Sequence, residues 1–227
     1  VRARARDFLT TTDARGAVAA LADLRAQAAD VATRCDAVWN LHQIGSRPAR
    51  DAVITALADA HSAVRLAAVN SIGLAKDRQA PLDRLHRLLK DDNASVRRAV
   101  ASALGQLGDT KSNGPLIEAA NSATNRFEEH AIIYSLIENY SRMTNSNIKH
   151  SAPQLPRLPA GGARAALIAF DQMDNSQLAE EHVLPLLDYP DPSVQATASR
   201  IFASHPAWAK AAVTHLRQNF VGSKLTE

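Results

Sequence analysis

The chain has 227 residues, only nine glycines, and alanine and leucine as its main apolar residues, a composition that favours helix. Its 26 basic and 23 acidic residues leave a net charge of +3, too small to indicate a nucleic-acid-binding stripe. The single cysteine, Cys35, excludes an internal disulfide and a cysteine-based zinc site, and no apolar run approaches the ~18 residues of a membrane span. We therefore expect an all-α chain that binds neither nucleic acid nor membrane.

A column of apolar residues recurs along the chain at nearly constant spacing. Its members are Leu9, Leu41, Ile72, Leu104, Leu136, Phe170 and Phe202. They lie 32, 31, 32, 32, 34 and 32 residues apart, and so steady a period is typical of a solenoid. Three residues later a second column contains Ile44, Ala75, Leu107 and Met173. We expect a right-handed α-α superhelix of about six to seven two-helix repeats, each of ~32 residues.

The most regular predicted helix is DDNASVRRAVASALGQLGD, residues 91–109. Asp92 or Asn93 can cap its first amides with a side-chain oxygen. Gly108 can end it, because glycine accepts the left-handed conformation that follows many helix C-termini. The other predicted helices are less regular copies of this one.

The pattern D-x-x-x-V-R, followed by an alanine-rich helix and L-G-x-L-G-D, resembles a HEAT repeat of the short bacterial type. Asp92 with Val96 and Arg97 shows it best, and Arg65 belongs to a partial copy. The resemblance implies that the helix after V-R lines the concave side of the array. It also implies a hydrogen-bonded ladder of Asp and Arg side chains through Arg65, Asp92 and Arg97. Gln195 replaces the arginine in the last copy, so the last rung stays open.

The richest polar cluster lies on the predicted helix 126–140. Four residues at intervals of four share one helix face: Arg126, His130, Tyr134 and Glu138. Glu129 lies at the border of this face. Such a cluster can bind a ligand or a neighbouring domain; the alternative is a solvated face with local ion pairs worth ~0.2–0.5 kcal/mol each. Since no second histidine follows His130 at ligand spacing, we expect no metal site.

Residues 141–162 interrupt the repeat and are expected to occupy the position of a first helix. Five residues that break helices fall in this stretch: Pro153, Pro156, Pro159, Gly161 and Gly162. Prolines at this spacing do not fit a helix interior. We expect a short helical turn around 145–152 and then an extended, irregular break at 153–162, in which the two glycines act as a hinge.

Both ends of the sequence lack the polar capping repeat that normally closes a solenoid. Residues 1–10 are typical of the second helix of a pair, and residues 206–219 of a first helix without its partner. The chain also begins at Val1 rather than at a methionine. We expect residues 1–227 to be a single solenoid and a fragment of a larger multidomain chain.

A narrower resemblance covers about a third of the chain. It rests on RFEEHAIIYSLIE (126–138), RAALIAFDQMD (164–174), HVLPLLDYPDPSV (182–194) and SHPAW (204–208). Together these runs are similar to the HEAT segment of large exported proteins from planctomycetes and their relatives. In that family a propeller-like, sugar-dehydrogenase-like domain precedes the array and a c-type haem domain commonly follows it. The resemblance implies an exported or periplasmic parent protein, and a polar cluster on 126–138 that this family keeps.

These observations favour a non-catalytic scaffold that binds another protein or neighbouring domains of its own chain, as a monomer and without a cofactor. No G-x-S-x-G elbow, glycine-rich phosphate loop or CxxCH motif is present, so we assign no catalytic residue. The alternative is an enzyme, because some short HEAT arrays resemble phycobilin lyases and some HEAT-like arrays are alkylpurine DNA glycosylases. Balanced charge and 4% aromatic residues disfavour the glycosylase.

Overall fold

The structure is a computed structural model. It describes residues 14–143, apart from residue 78, and residues 152–217, apart from residues 175, 177, 212 and 216. All regular secondary structure in the described residues is helical, which confirms the predicted all-α class. The column residue Leu9, the helix predicted over 1–10 and most of the turn predicted at 145–152 lie outside the described residues.

Helices of seven to fifteen residues alternate with shorter helical pieces. The α-helices are α1 (Ala14–Gln27), α2 (Val31–Ile44), α3 (Arg47–Thr55), α4 (Ser62–Ala75), α5 (Leu82–Leu88), α6 (Ala94–Leu107), α7 (Asn113–Ala120), α8 (Arg126–Tyr140), α9 (Ala160–Gln172), α10 (Glu180–Val183) and α11 (Pro192–Ala203). Short 3₁₀-helices lie at Ala56–Ala58, Thr110–Ser112, Ala152–Arg157, Leu184–Leu186 and Pro206–Trp208.

The chain divides into two compact units, one ending at Ser112 and the other beginning at Asn113. In the first unit α2 packs on α1 and α4, α4 packs on α6, and α3 and α5 pack beside these helices. The column residues Leu41, Ile72 and Leu104 are all buried. Burial of such a side chain contributes ~1.5–3 kcal/mol, so packing between neighbouring repeats holds this unit together.

The helix predicted over 91–109 is observed as α6, and its two ends are made as expected. Asn93, rather than Asp92, caps the start of the helix, because its Oδ1 accepts a hydrogen bond from the backbone N–H of Ser95 at 2.9 Å. Gly108 has φ of 67° and donates its N–H to the carbonyl of Leu104 at 3.1 Å. The left-handed glycine therefore ends the helix as the sequence indicates.

The second unit is built around α9, which packs against α7, α8 and α11. Its residues Gly162–Ala163 and Ala165–Phe170 are all buried. A helix that is apolar on nearly all sides is typical of the centre of a helical core. Alanine and glycine dominate its first half, so neighbouring backbones can approach it closely.

Gly161 and Gly162 form part of the first turn of α9, and the predicted hinge is wrong. A Cβ atom at Gly161 would lie 2.5 Å from the carbonyl oxygen of Ala120, and one at Gly162 would lie 2.7 Å from the side chain of Ile117. The N–H of Gly162 also donates to Oδ1 of Asn121 at 2.9 Å. The glycines are needed because α7 crosses the start of α9 at short range.

The extended break predicted at 153–162 is also wrong. Ala152–Arg157 forms a 3₁₀ turn with Pro156 inside it, and α9 already begins at Ala160. A 3₁₀-helix of only six residues tolerates Pro156, because the proline removes no more than one i→i+3 hydrogen bond. Only residues 158–159 lie between the two helical pieces, and the carbonyl of Leu158 accepts a hydrogen bond from the Tyr189 hydroxyl at 2.6 Å.

The position assigned to this stretch within the repeat needs correction as well. Leu136 lies in α8 and Phe170 in α9, so both helices carry the apolar column of the first helices. The turn at 152–157 falls between them in the chain. It therefore takes the position of a second helix, whose described part is the six-residue 3₁₀-helix Ala152–Arg157.

Candidate interaction site

The helix that carries the predicted polar cluster, α8, is capped by side chains at its start. Oδ1 of Asn125 accepts hydrogen bonds from the backbone N–H groups of Phe127 and Glu128, both at 3.0 Å. The carboxylate of Glu128 reaches back to the N–H and hydroxyl of Thr124, at 3.2 and 3.1 Å. This reciprocal cap fixes where the helix begins, and with it which side chains face outward.

One side of α8 is anchored in the core of the second unit. Ile132, Leu136 and Tyr140 are buried, and the Tyr140 ring stacks on Phe170 with ring centroids 4.5 Å apart. Burial raises the pKa of the Tyr140 hydroxyl far above its usual range. This apolar anchor holds the opposite side of the helix in a fixed orientation.

The opposite side carries what we call the α8 ridge: Arg126, His130, Tyr134 and Glu138. The structure places all four on one exposed side, as the spacing predicts, with Glu138 the least exposed of them. The Tyr134 side chain is 57% exposed, unusually high for an aromatic residue in a helix that is otherwise well packed. The ridge therefore presents a cation, an imidazole, a phenol and a carboxylate to solvent in a line.

Phe127 belongs to the same surface, although the sequence analysis did not single it out. Its side chain is 57% exposed, and the Arg126 guanidinium lies 4.9 Å from its ring centroid in a cation–π contact. The signal was available, because Phe127 precedes Tyr134 by seven residues and so lies on the same side of the helix. Two exposed aromatic rings thus stand one above the other on α8.

Glu129 does not belong to the open surface. Its carboxylate forms an ion pair with Arg164 of α9, and both side chains are about 30% exposed at most. This pair joins two packed helices of the second unit. Glu129, predicted at the border of the interaction face, is thus already engaged by the neighbouring helix α9.

Glu138 has a weaker local partner. Its Oε2 lies 3.4 Å from Nη2 of Arg142, one turn further along the chain, and the two side chains are 38% and 42% exposed. An ion pair this open to water is worth little, since solvent screens it. Glu138 can therefore exchange this contact for another cation at small cost.

The buried side of α8 contains one polar anomaly, Asn139. It occupies the second apolar column, where Ile44 and Leu107 stand in other repeats, and is fully buried. Neither its Oδ1 nor its Nδ2 finds a hydrogen-bond partner among the described residues. An unsatisfied buried amide costs stability.

Arg65, one of the residues assigned to the Asp/Arg ladder, joins two successive repeats of the first unit. The Arg65 guanidinium donates to both carboxylate oxygens of Asp91 at 2.7 Å and to Oδ1 of Asp92 at 2.8 Å. Asp91, not Asp92, is the main acceptor, because its side chain is 3% exposed whereas that of Asp92 is 88% exposed. Burial opposes ionisation of Asp91, but the Arg65 hydrogen bonds and the Asn93 N–H together lower its pKa.

A second element of the ladder is a repeated bond to the backbone. Arg65, Arg97 and Gln195 each donate to the carbonyl oxygen six residues earlier, at 3.0, 2.8 and 2.8 Å. Gln195 thus keeps this bond although it lacks the arginine charge. A further ion pair of this kind was not predicted from the sequence: Nη2 of Arg34 lies 3.4 Å from Oδ1 of Asp59.

A small cavity of about 60 Å³ opens in the first unit beside α2, α3 and α4. Nδ1 of His42 and Oγ of Ser71 are 3.0 Å apart at its wall, and Arg50 and Asp77 form a 3.7 Å ion pair there. It has room for one or two waters. The polar groups around it are already bonded to one another, so it offers little to a larger ligand.

In the described part of the chain, no group of three or more His, Cys, Asp and Glu side chains is arranged to hold a metal ion. Cys35 is half-buried, and burial, followed by the nearby Asp59 and Asp36, raises the pKa of its thiol. Within the same residues no helix is long and apolar enough to cross a membrane.

Residues 50–137 match the family model of HEAT repeats. Among solved structures, a HEAT-like repeats protein from the archaeon Thermococcus onnurineus NA1 is similar, with 14% sequence identity and a TM-score of 0.51. The similarity covers 82% of this chain and 79% of that chain. With the helix order described above, these findings define the class: the chain has an all-α, HEAT-like repeat fold.

Two further structures show a looser similarity. The complex of CpcE and CpcF of phycocyanin lyase from Nostoc sp. PCC7120 is 21% identical, with a TM-score of 0.47, over 85% of this chain and 68% of that chain. An engineered protein is 19% identical, with a TM-score of 0.46, over 82% of this chain and 97% of that chain. The comparison with curated proteins finds no match. Similarity at this level carries no argument about activity.

Proposed function

We propose that this chain is a non-catalytic, protein-binding scaffold and that the α8 ridge with Phe127 is its docking surface. The observation that carries the proposal is the pair of exposed aromatic rings, Phe127 and Tyr134, on a helix whose other side is firmly packed. Tyrosine and arginine are enriched among the residues that dominate binding energy at protein interfaces. A rigid helix that presents both types loses little entropy when a partner binds.

We further propose that residues 1–227 are the HEAT-repeat region of a larger exported, oxidoreductase-like protein. The support is the resemblance of the runs at 126–138, 164–174, 182–194 and 204–208 to that family. The partner of the α8 ridge is then another protein chain or a neighbouring domain of the same polypeptide.

Site-specific crosslinking tests the docking surface. A photoreactive benzophenone amino acid replaces Tyr134 in the full-length parent protein, and a matched variant carries it at Arg200, an exposed residue of α11. We expect crosslinks from position 134 to another domain or to a second protein chain, and few from position 200. Equal crosslinking from both positions, or none from 134, would overturn the docking surface.

The absence of catalysis is tested on the isolated chain. We expect no turnover of sugar alcohols or aldoses with artificial electron acceptors, because the site described has binding groups but no arrangement for hydride transfer. Dehydrogenase activity of the purified chain, lost on Tyr134→Ala, would contradict the scaffold assignment.

A further inference from the structure

We propose that the α8 ridge docks onto the α8 ridge of a second copy of this chain, with the two helices antiparallel. This inference rests on the proposed function, since it names the occupant of the same surface. It follows from the order of charges along the ridge, which makes the ridge complementary to itself when one copy is reversed.

The ridge runs from a cation to an anion. Arg126 lies in the first turn of α8 and Glu138 near its last turn, with His130 and Tyr134 between them. In an antiparallel pair Arg126 of each copy faces Glu138 of the other, and His130 faces Tyr134. Two-fold symmetry therefore makes each contact twice, as in other isologous dimers. A parallel pair would place like charges opposite each other and is disfavoured.

The spacing also suits helix packing. Residues at intervals of four form one of the side-chain ridges of an α-helix, and two such ridges align when helices cross at about −50°, the commonest packing class. Phe127 stands beside the ridge, 57% exposed, and adds apolar area at the edge of the contact. Its ring is covered in part by the Arg126 guanidinium, which is thereby held over the first turn.

Glu138 can change its ionic partner with little loss of free energy. Among the described residues Glu138 pairs with Arg142, at 3.4 Å and in an exposed position, so the second copy's Arg126 can replace or join that contact. A single helix ridge is smaller than the ~1,200–2,000 Å² that stable complexes bury. The dimer is therefore reversible, and the monomer expected from the sequence is the form present in dilute solution.

Sedimentation equilibrium across a wide concentration range measures the association. We expect the mass to rise from 24.4 kDa toward twice that value as concentration increases. Arg126→Glu alone, which leaves both ridge ends acidic, and Glu138→Arg alone, which leaves both basic, should each weaken association at least tenfold. An equimolar mixture of these two variants should associate again, and the double variant R126E/E138R should behave like the wild type.

The control is Arg200→Glu, which reverses an exposed charge in the same unit away from the ridge and should leave association unchanged. Circular dichroism confirms that every variant keeps its helix content. A wild-type chain that stays monomeric at the highest concentration overturns the proposal, as does an R126E variant that associates like the wild type. If crosslinks from position 134 reach another domain while no dimer forms, this inference fails and the proposed function stands.

Discussion

At the scale of single residues, Leu104 tests the packing between repeats. It lies on the apolar column of α6 and is fully buried. Leu104→Asp should lower the free energy of unfolding by more than ~3 kcal/mol, because it leaves a cavity and buries a charge. Urea denaturation measures the loss. Ser95→Asp, on the exposed first turn of the same helix, is the matched control and should change stability by less than ~0.5 kcal/mol.

The Arg65–Asp91 pair predicts a pH dependence. The pKa of Asp91 is lowered, so its contribution to stability is complete above the ordinary value of 3.8 and is lost as pH falls through the lower folded value. Asp91→Asn should cost ~1–3 kcal/mol at neutral pH and should flatten the stability profile below pH ~4. Asp92→Asn, at an 88% exposed side chain, should cost less than ~1 kcal/mol.

Urea unfolding measured at a series of pH values distinguishes the two variants. If Asp91→Asn and Asp92→Asn lost equal stability, the assignment of Asp91 as the main acceptor of the ladder would be wrong. Asp91 and Asp92 are adjacent in the chain and both precede α6, so the two variants differ only in which of the two carboxylates is removed.

The residues of the site were only partly predictable. The interval of four placed Arg126, His130 and Tyr134 on one helix side, because helix periodicity alone decides that. It could not reveal that Glu129 would be engaged by Arg164, since that contact joins two helices whose packing no local pattern specifies. Phe127 was missed because an apolar residue in a helix is expected in the core.

At the scale of helices, two glycines form a matched pair for testing close packing. A Cβ at Gly161 would meet the α7 backbone at 2.5 Å, whereas one at Gly114 would meet nothing within 4 Å. Gly161→Ala should destabilise the protein by ~1–3 kcal/mol, because α7 and α9 must separate. Gly114→Ala should change the stability by less than ~0.5 kcal/mol, because the added Cβ meets nothing and the site, before Pro115 in the first turn of α7, lies outside the helix interior. Thermal melts of both variants give the comparison.

Helix boundaries could be predicted where residues of the same turn set them. They could not be predicted where packing against other helices sets them. Asn93 and Gly108 define α6 because a cap and a left-handed glycine act within their own turn. Pro156 and Gly161 were interpreted as breakers, yet they lie within helical segments. Proline and glycine disfavour a regular α-helix, and that much can be read from the sequence. Whether such a residue ends a helix, lies in a 3₁₀-helix or allows two helices to cross closely depends on neighbours that are distant in sequence.

At the scale of the whole molecule, DNA binding is the property that distinguishes the proposed protein-binding scaffold from a DNA-acting enzyme. With a net charge of +3, the chain should bind duplex DNA weakly even at low salt, and its affinity should change little as salt rises. Fluorescence anisotropy with a labelled duplex measures this. Tight binding at low salt that falls steeply with added salt would favour the glycosylase-like alternative.

The central claim is that α8 presents a protein-docking surface, and hydrogen exchange tests it most directly. Exchange of the peptide 126–140 is followed by mass spectrometry in the isolated chain, when dilute, and in the full-length parent protein. We predict slower exchange in the parent protein at the first turn of α8 and around Tyr134, with α4 and α6 unchanged. Identical exchange of α8 in both proteins would contradict the account.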